Sequence, residues 1–322
     1  MADSWIRPVV VISRCLELEP VRYDGAVIPH EFVRSLAPWV HYVPVCPEVE
    51  IGLGVPRDPV RIVRVNGEAR LLQPETNRDL TAELSRFAHD FLRDLTDVDG
   101  FLLKNRSPSC GIGDVKIYQG ATDPAPSARG AGLFGGLILE HHDGLAIEDE
   151  GRLRDYRIRE HFLTKLFGLA RLRVDVRHGA MRDLVRFHSE NKFLLLAYDQ
   201  EGMRALGRLV ANADRLAYDI LFDRYREGFQ AALAEPPRAS PVVNVLEHLS
   251  GRFSGRLSRE EKAFFRGALD GYREGRLPLS GVTSILRAWA VRFQERYLLA
   301  QSFFGPYPEE LMSVSDSGKG RT

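Results

Sequence analysis

The stretch PVVVISRC, residues 8–15, decides how the first half of the chain is read. A run of β-branched residues behind a proline favours an extended strand over a helix. The run stops at Ser13 and Arg14, and Cys15 follows at once. Working outward, the pattern returns. HEFVRSLAPWV reads as a helix after the turn RYDG. HYVPVCPEVEIG is a second extended run, with Cys46 just past its apolar part. TNRDLTAELSRFAHDFLRDL is amphipathic: Leu80, Leu84, Phe87, Phe91 and Leu95 follow helical spacing, with Thr76 or Asn77 as the expected N-cap. DVDGFLLKNRSPSCG is a third strand opening into a turn that carries Cys110. GLFGGLILEHH reads as a helix, and LAIEDEGRL as a last short strand and turn. Strand–helix alternation of this kind gives an α/β domain with a mainly parallel sheet and flanking helices.

After Arg154 the character changes. DYRIREHFLTKLFGLARLR is a long helical connector, and from Met181 onward nearly every segment has helical spacing, broken by EPPRASP and EGRLPLS. Ser258 and Glu261 form an expected capping box. The reading is an α/β domain over residues 1–160, a connector over 161–178, an all-α domain over 179–314 and a tail, 315–322, expected to be disordered.

Composition bounds the function. With 322 residues, 44% hydrophobic and 27% charged, the chain has the make-up of folded globular domains. No apolar run approaches the roughly 18–20 residues of a membrane span. The N-terminus lacks the basic region and small-residue cleavage site of a secretory signal, so a cytoplasmic location without membrane association is expected. The net charge is zero, but residues 1–160 carry 19 Lys/Arg against 25 Asp/Glu and the remainder 25 against 19. The basic half is a candidate for binding a polyanion.

There are three cysteines, Cys15, Cys46 and Cys110. An odd number in a reducing compartment argues against a disulfide framework. No CxxC pair occurs and no histidine lies at zinc-ligand spacing from a cysteine. Each cysteine falls at or just beyond the C-terminal end of an expected strand, and in an open parallel sheet those ends face one crevice where ligands bind. Three thiolates without a fourth protein ligand suit an iron–sulfur cube with one open iron.

The segments SRCL…VRYDG, VCPEVEIGLGVPRDPVRIV and FLLKNRSPSCG resemble, in order and spacing, the signature segments of the thiouracil desulfidase (TudS) family, over most of residues 7–155. The resemblance implies an α/β domain that holds a 4Fe–4S cluster by Cys15, Cys46 and Cys110, leaving one iron open. It places the catalytic carboxylate on Glu48, and the catalytic serine on Ser107 with Ser109 as the alternative. Asp24, Lys104, Asn105, Arg106 and Ser109 are expected to line the same pocket and bind substrate. Asp24 also suits an ordinary Asp-Gly turn.

The second half, through FHSENKFLLLAYD, LGRLVANA, NVLEHLSGRFSGRLSREEKAFFRGALDGYREGRLPL and PYPEEL, resembles the YbgA-type helical domain. Two-domain proteins of this architecture include a desulfidase acting on 4-thiouridine in tRNA, which makes thiolated tRNA the expected partner. Arginines such as Arg204, Arg208, Arg256, Arg273, Arg287 and Arg292 would contact phosphate, and Phe253, Tyr272, Trp289 and Tyr297 could stack on bases. No obligate protein partner is evident. The competing readings are a desulfidase of free thiouracil or thionucleosides, which has no need of the helical half, and a non-catalytic iron–sulfur sensor that binds nucleic acid.

Overall fold

The computed structural model describes residues 5–120 and 126–312; the expected disordered tail lies outside the described residues. Contacts divide the chain into two units, Arg171–Glu309 forming one and the residues on either side of it the other.

The N-terminal unit is built on two sheets. Its strands, in chain order, are β1 (Val9–Ser13), β2 (His41–Val45), β3 (Arg61–Val65), β4 (Glu68–Gln73), β5 (Arg78–Asp79), β6 (Gly100–Leu103), β7 (Val115–Tyr118), β8 (Ala128–Gly130) and β9 (Ala146–Asp149). The first sheet has the order β2-β1-β6-β9 with every pair parallel. Strands covered on both faces read as continuous apolar runs, and Val10, Val11 and Ile12 of β1 and Phe101, Leu102 and Leu103 of β6 are all fully buried. Helices α1 (Glu31–Leu36), α2 (Pro47–Glu50), α3 (Thr81–Asp94), α4 (Leu133–His141) and α5 (Tyr156–Asp175) alternate with the strands. Leu84, Ala88 and Leu92 of α3 join Phe134 and Ile138 of α4 in one core with Val11, Val45 and Phe101. Leu166 of α5 packs over Gly100, where a Cβ would come within 2.9 Å of it.

The α/β class expected for this half is what forms, with one addition. A second sheet, β5-β4-β3-β7-β8, is mostly antiparallel. Its origin is Asn66–Gly67, both at positive φ (53° and 89°), the backbone of a tight hairpin turn whose twist matches that of the flanking strands. This hairpin corrects the expected cap of α3. The segment before that helix is drawn into β4 and β5, so neither Thr76 nor Asn77 caps it. The helix begins at Thr81, whose N–H donates to Oδ1 of Asp79 at 3.0 Å.

The C-terminal unit is entirely helical between its loops: α6 (Met181–Glu190), α7 (Lys192–Tyr198), α8 (Gln200–Ala211), α9 (Tyr218–Ala232), α10 (Ala239–Gly251), α11 (Arg259–Arg273), α12 (Leu279–Arg292) and α13 (Arg296–Leu299). The expected capping box opens α11: Ser258 Oγ accepts from the Glu261 N–H, and Oε2 of Glu261 accepts from the Ser258 N–H. Phe253 and Trp289, offered above as stacking platforms, are core residues packed edge to face, so their faces are closed to a base. Tyr272 packs against the same core, and Tyr297 is 38% exposed. Among the described residues no helix is long and apolar enough to cross a membrane.

Candidate active site

In the parallel sheet β1 has β2 on one side and β6 on the other. The chain therefore passes from β1 to β2 on one side and returns to the sheet at β6 on the other, and a crevice opens at the strands' C-terminal ends, where ligands bind in sheets of this kind. A cavity of about 360 Å³ occupies it. Every strand around it delivers chemistry at its carboxyl end: Ser13, Arg14 and Cys15 from β1, Cys46 and Glu48 from β2, and the turn from Lys104 to Cys110 from β6.

The three cysteines, remote in sequence, thus line one cavity, without a histidine beside them. Cys46 and Cys110 are buried and Cys15 partly so. Burial pushes the Cys15 thiol up to about 12, with Cys46 beside it adding to the rise and the Lys104 ammonium opposing it. Burial likewise raises Cys46 and, strongly, Cys110, which also bonds Ser13. Three thiolates cannot share such a pocket without a compensating cation. A soft, all-sulfur donor set of this kind suits a thiophilic metal centre. Among the described residues no three His, Cys, Asp or Glu side chains are grouped to hold a single metal ion; the sulfurs are set around a cavity.

The turn that carries Cys110 is held from behind. The first N–H groups of a helix have no partner within it, and those of α4 are spent on this turn. Leu133 donates to Pro108 O (3.1 Å), and Phe134 and Gly135 both donate to Ser109 O (3.0 Å). The close approach requires glycine: a Cβ on Gly135 would lie 2.3 Å from Gly111 O and 2.7 Å from Cys110 O, and one on Gly132 2.6 Å from Pro108 O. Arg106 takes a left-handed conformation, φ 58°, which reverses the chain between Asn105 and Ser107.

Within this frame Glu48 is fixed by two donors. Ser109 Oγ donates to its Oε1 at 2.8 Å and Arg57 Nε to its Oε2 at 2.7 Å. Ser107 lines the cavity. Its oxygen accepts the N–H groups of Ser109 (3.3 Å) and Cys110 (3.1 Å), which leaves its own hydroxyl proton to give. Lys104 Nζ donates to Glu150 Oε1 at 2.5 Å and its N–H to Ser13 Oγ at 2.8 Å. Asn105 is tied to Glu150 and Asp149.

Two of the residues expected to bind substrate are placed elsewhere. Asp24 is an exposed turn residue, bonded to Arg22 at 2.5 Å and to the Ala26 N–H, and lies outside the cavity lining. The short Asp-Gly turn closes on its own backbone, which uses up the carboxylate. Ser109 is fully buried and spends its hydroxyl on Glu48, so it braces the carboxylate and offers nothing to a ligand. Arg106 reaches the cavity wall, yet its guanidinium pairs with Asp114 at 2.9 Å. Conversely, Arg57, Ser13 and Glu150 carry site contacts that sequence reasoning passed over. Arg57 stands in GLGVPRDPV, where a lone arginine after proline reads as solvated surface.

Fold and site together define an α/β domain whose switch-point cavity is ringed by three thiols and one braced carboxylate. Residues 10–150 match the family model of 2-thiouracil desulfurase, and residues 192–308 match that of DUF1722, a protein family of unknown function. The uncharacterized protein YbbK of Bacillus subtilis (strain 168) is 28% identical over 155 residues, which is 46% of this chain and 99% of that protein. The solved structure of the 4Fe-4S-dependent thiouracil desulfidase TudS is 32% identical, covering 46% of this chain and 94% of its own, with a TM-score of 0.38. Through its N-terminal domain the chain belongs to the 2-thiouracil desulfurase family, fused to a DUF1722, YbgA-like domain.

Proposed function

We propose that the protein is an iron–sulfur-dependent desulfidase, and that Cys15, Cys46 and Cys110 hold a 4Fe–4S cluster. The observation that carries this reading is that all three cysteines of the chain line one cavity beside Glu48. The net reaction is hydrolytic: a thiocarbonyl and water give a carbonyl and hydrogen sulfide, with no electrons exchanged. A cluster held by three thiolates supplies one iron without a protein ligand, a thiophilic Lewis acid for the substrate sulfur.

The chain's own residues do the rest. Glu48, its carboxylate held in one orientation by Arg57 and Ser109, takes a proton from the attacking water. Ser107, its oxygen already anchored by two backbone N–H groups, donates its hydroxyl proton towards the reacting ring. Lys104 places a positive charge on the same wall, where charge builds up as the sulfur departs.

The substrate is a thiolated pyrimidine, and 4-thiouridine in tRNA is the preferred carrier. The excess of basic residues in the second half supports it. So do Arg204 and Arg208, one turn apart on α8 and both without an acidic partner among the described residues. Free thiouracil is the second reading, favoured by a cavity of single-base size and by the substrate named for the solved relative.

The test is anaerobic loading with iron and sulfide, followed by sulfide release from 4-thiouracil, 4-thiouridine and thiolated tRNA. Glu48→Gln and Ser107→Ala should retain wild-type iron and lose about 100-fold or more in turnover, the scale of a general acid or base. Near-normal turnover by either removes that residue from the mechanism. Zinc in place of iron after loading removes the cluster.

A further inference from the structure

Arg57 has five N–H bonds to give, and four are engaged around the cavity. Nε donates to Glu48 Oε2 at 2.7 Å; Nη1 donates to the carbonyls of Val21 and Gly54, each at 3.0 Å; Nη2 reaches Cys46 Sγ at 3.8 Å. Its side chain is only 4% exposed. Burying a guanidinium is costly unless its charge is paired and its donors are used, and here both conditions are met by groups of the cavity wall. The four partners come from four places: α2, the segment between β1 and α1, the loop after α2, and the end of β2.

We propose that Arg57 is a positioning residue that couples the carboxylate of Glu48 to the sulfur of Cys46. The inference rests on the desulfidase reading, in which Cys46 is a thiolate ligand. In one direction the planar fork fixes the carboxylate, with Oε2 on Arg57 and Oε1 free to accept from Ser109. In the other, an N–H directed at a ligand sulfur draws charge from it, which favours the reduced state of a centre held there. Lysine cannot replace it. An ammonium presents a compact charge with three donors and cannot serve a carboxylate, two carbonyls and a sulfur in one plane.

The experiment compares Arg57→Lys and Arg57→Gln with wild type in the full chain. Five quantities are measured: bound iron, the midpoint potential by EPR-monitored titration, kcat and KM on 4-thiouracil, and the arginine Nε–H resonances of the apoprotein. Both variants should bind wild-type iron. Each should lose about 10–100-fold in kcat, the usual effect of removing an outer-shell partner, with KM changed less than about 3-fold. Arg57→Gln should lower the potential, and in a Glu48→Gln background it should cost little more in kcat, since the two act as one unit. Wild-type kcat and potential in both variants, or fully additive losses, overturn the proposal.

Should the variants lose their iron, the wild-type apoprotein decides. A slowly exchanging Nε–H resonance that shifts on Glu48→Gln supports the proposal, and its absence refutes it. A loaded wild type inactive on every thiopyrimidine would refute the desulfidase reading instead, while potential and resonance would still judge Arg57.

Discussion

Gly135 and Gly136 are neighbours on α4, and alanine at each should move stability in opposite directions. Replacing a helical glycine by alanine gains about 0.8–1 kcal/mol from backbone entropy alone. At Gly136 the added Cβ meets only the Ala131 Cβ at 3.7 Å, an ordinary contact, so that gain should survive. At Gly135 the Cβ lies 2.3 Å from Gly111 O, 2.7 Å from Cys110 O and 2.8 Å from Gly111 C. Those are backbone atoms, which no rotamer change can clear, so the turn must shift. Overpacking costs about 1–3 kcal/mol, and with backbone as the obstacle the upper end applies. The net loss is about 1–2 kcal/mol. At about 2–4 °C per kcal/mol for a unit of this size, Gly136→Ala should raise the thermal midpoint of the N-terminal unit by about 2–4 °C. Gly135→Ala should lower it by about 2–8 °C. Calorimetry on the apoprotein reads both. Because the displaced carbonyl belongs to Cys110, Gly135→Ala should also bind less iron on reconstitution, whereas Gly136→Ala should load fully. Equal midpoints and equal iron in the two variants would refute the claim that α4 sets the position of the Cys110 turn.

Three further outcomes are expected. Asp24→Asn should leave sulfide release within about 2-fold of wild type, because its carboxylate serves an exposed turn, where substitutions are usually worth under about 0.5 kcal/mol; a large kcat loss would return it to the site. Burial is the chief cause of lowered pKa at His30, His142 and His188, and of a raised one at Glu160. As pH falls through about 6.5 the unfolded chain takes up protons that the three partly buried imidazoles resist, so stability present above that pH is lost, with Glu160 offsetting part of it; a thermal midpoint that rises from about pH 7 to 5.5 would contradict this. Binding of thiolated tRNA should weaken with salt, and Arg204→Gln/Arg208→Gln should reduce the log–log slope by about 0.7–0.9 for each phosphate contact removed; an unchanged slope would clear α8 of RNA contact.

What could be read from the sequence is what local physics determines. A β-branched run announces β1 and a short apolar run announces β6, and a parallel sheet brings their carboxyl ends together, so the sequence itself places Cys15, Cys46 and Cys110 at one crevice. Ser258 and Glu261 announce a helix start because both partners of that cap lie within one turn. The hairpin at Asn66–Gly67 is equally local, an asparagine–glycine pair at positive φ between β3 and β4. It moves the start of α3, because Thr76 and Asn77 belong to the turn that joins β4 to β5. Phe253 and Trp289 show the limit of composition: an aromatic beside arginines has the same spacing whether it stacks on a base or fills a core.

The remaining distinctions are not local at all. Ser107 and Ser109 stand two residues apart in one turn, and nothing between them says which faces the cavity. The choice is made by α4, some two dozen residues downstream, whose N–H groups hold the carbonyls of Pro108 and Ser109 and so turn the Ser109 hydroxyl inward to Glu48. Asp24 and Arg57 are inverted for the same reason. An aspartate before glycine satisfies itself within its own turn, so its charge never reaches the site. Arg57 bonds Val21, 36 residues earlier in the chain, and enters the site only because the fold closes that distance. A charged residue whose hydrogen bonds can all be met by its neighbours is therefore a poor candidate for the cavity. One whose donors exceed anything nearby must either stay in water or find partners across the fold, and at 4% exposure Arg57 has done the second.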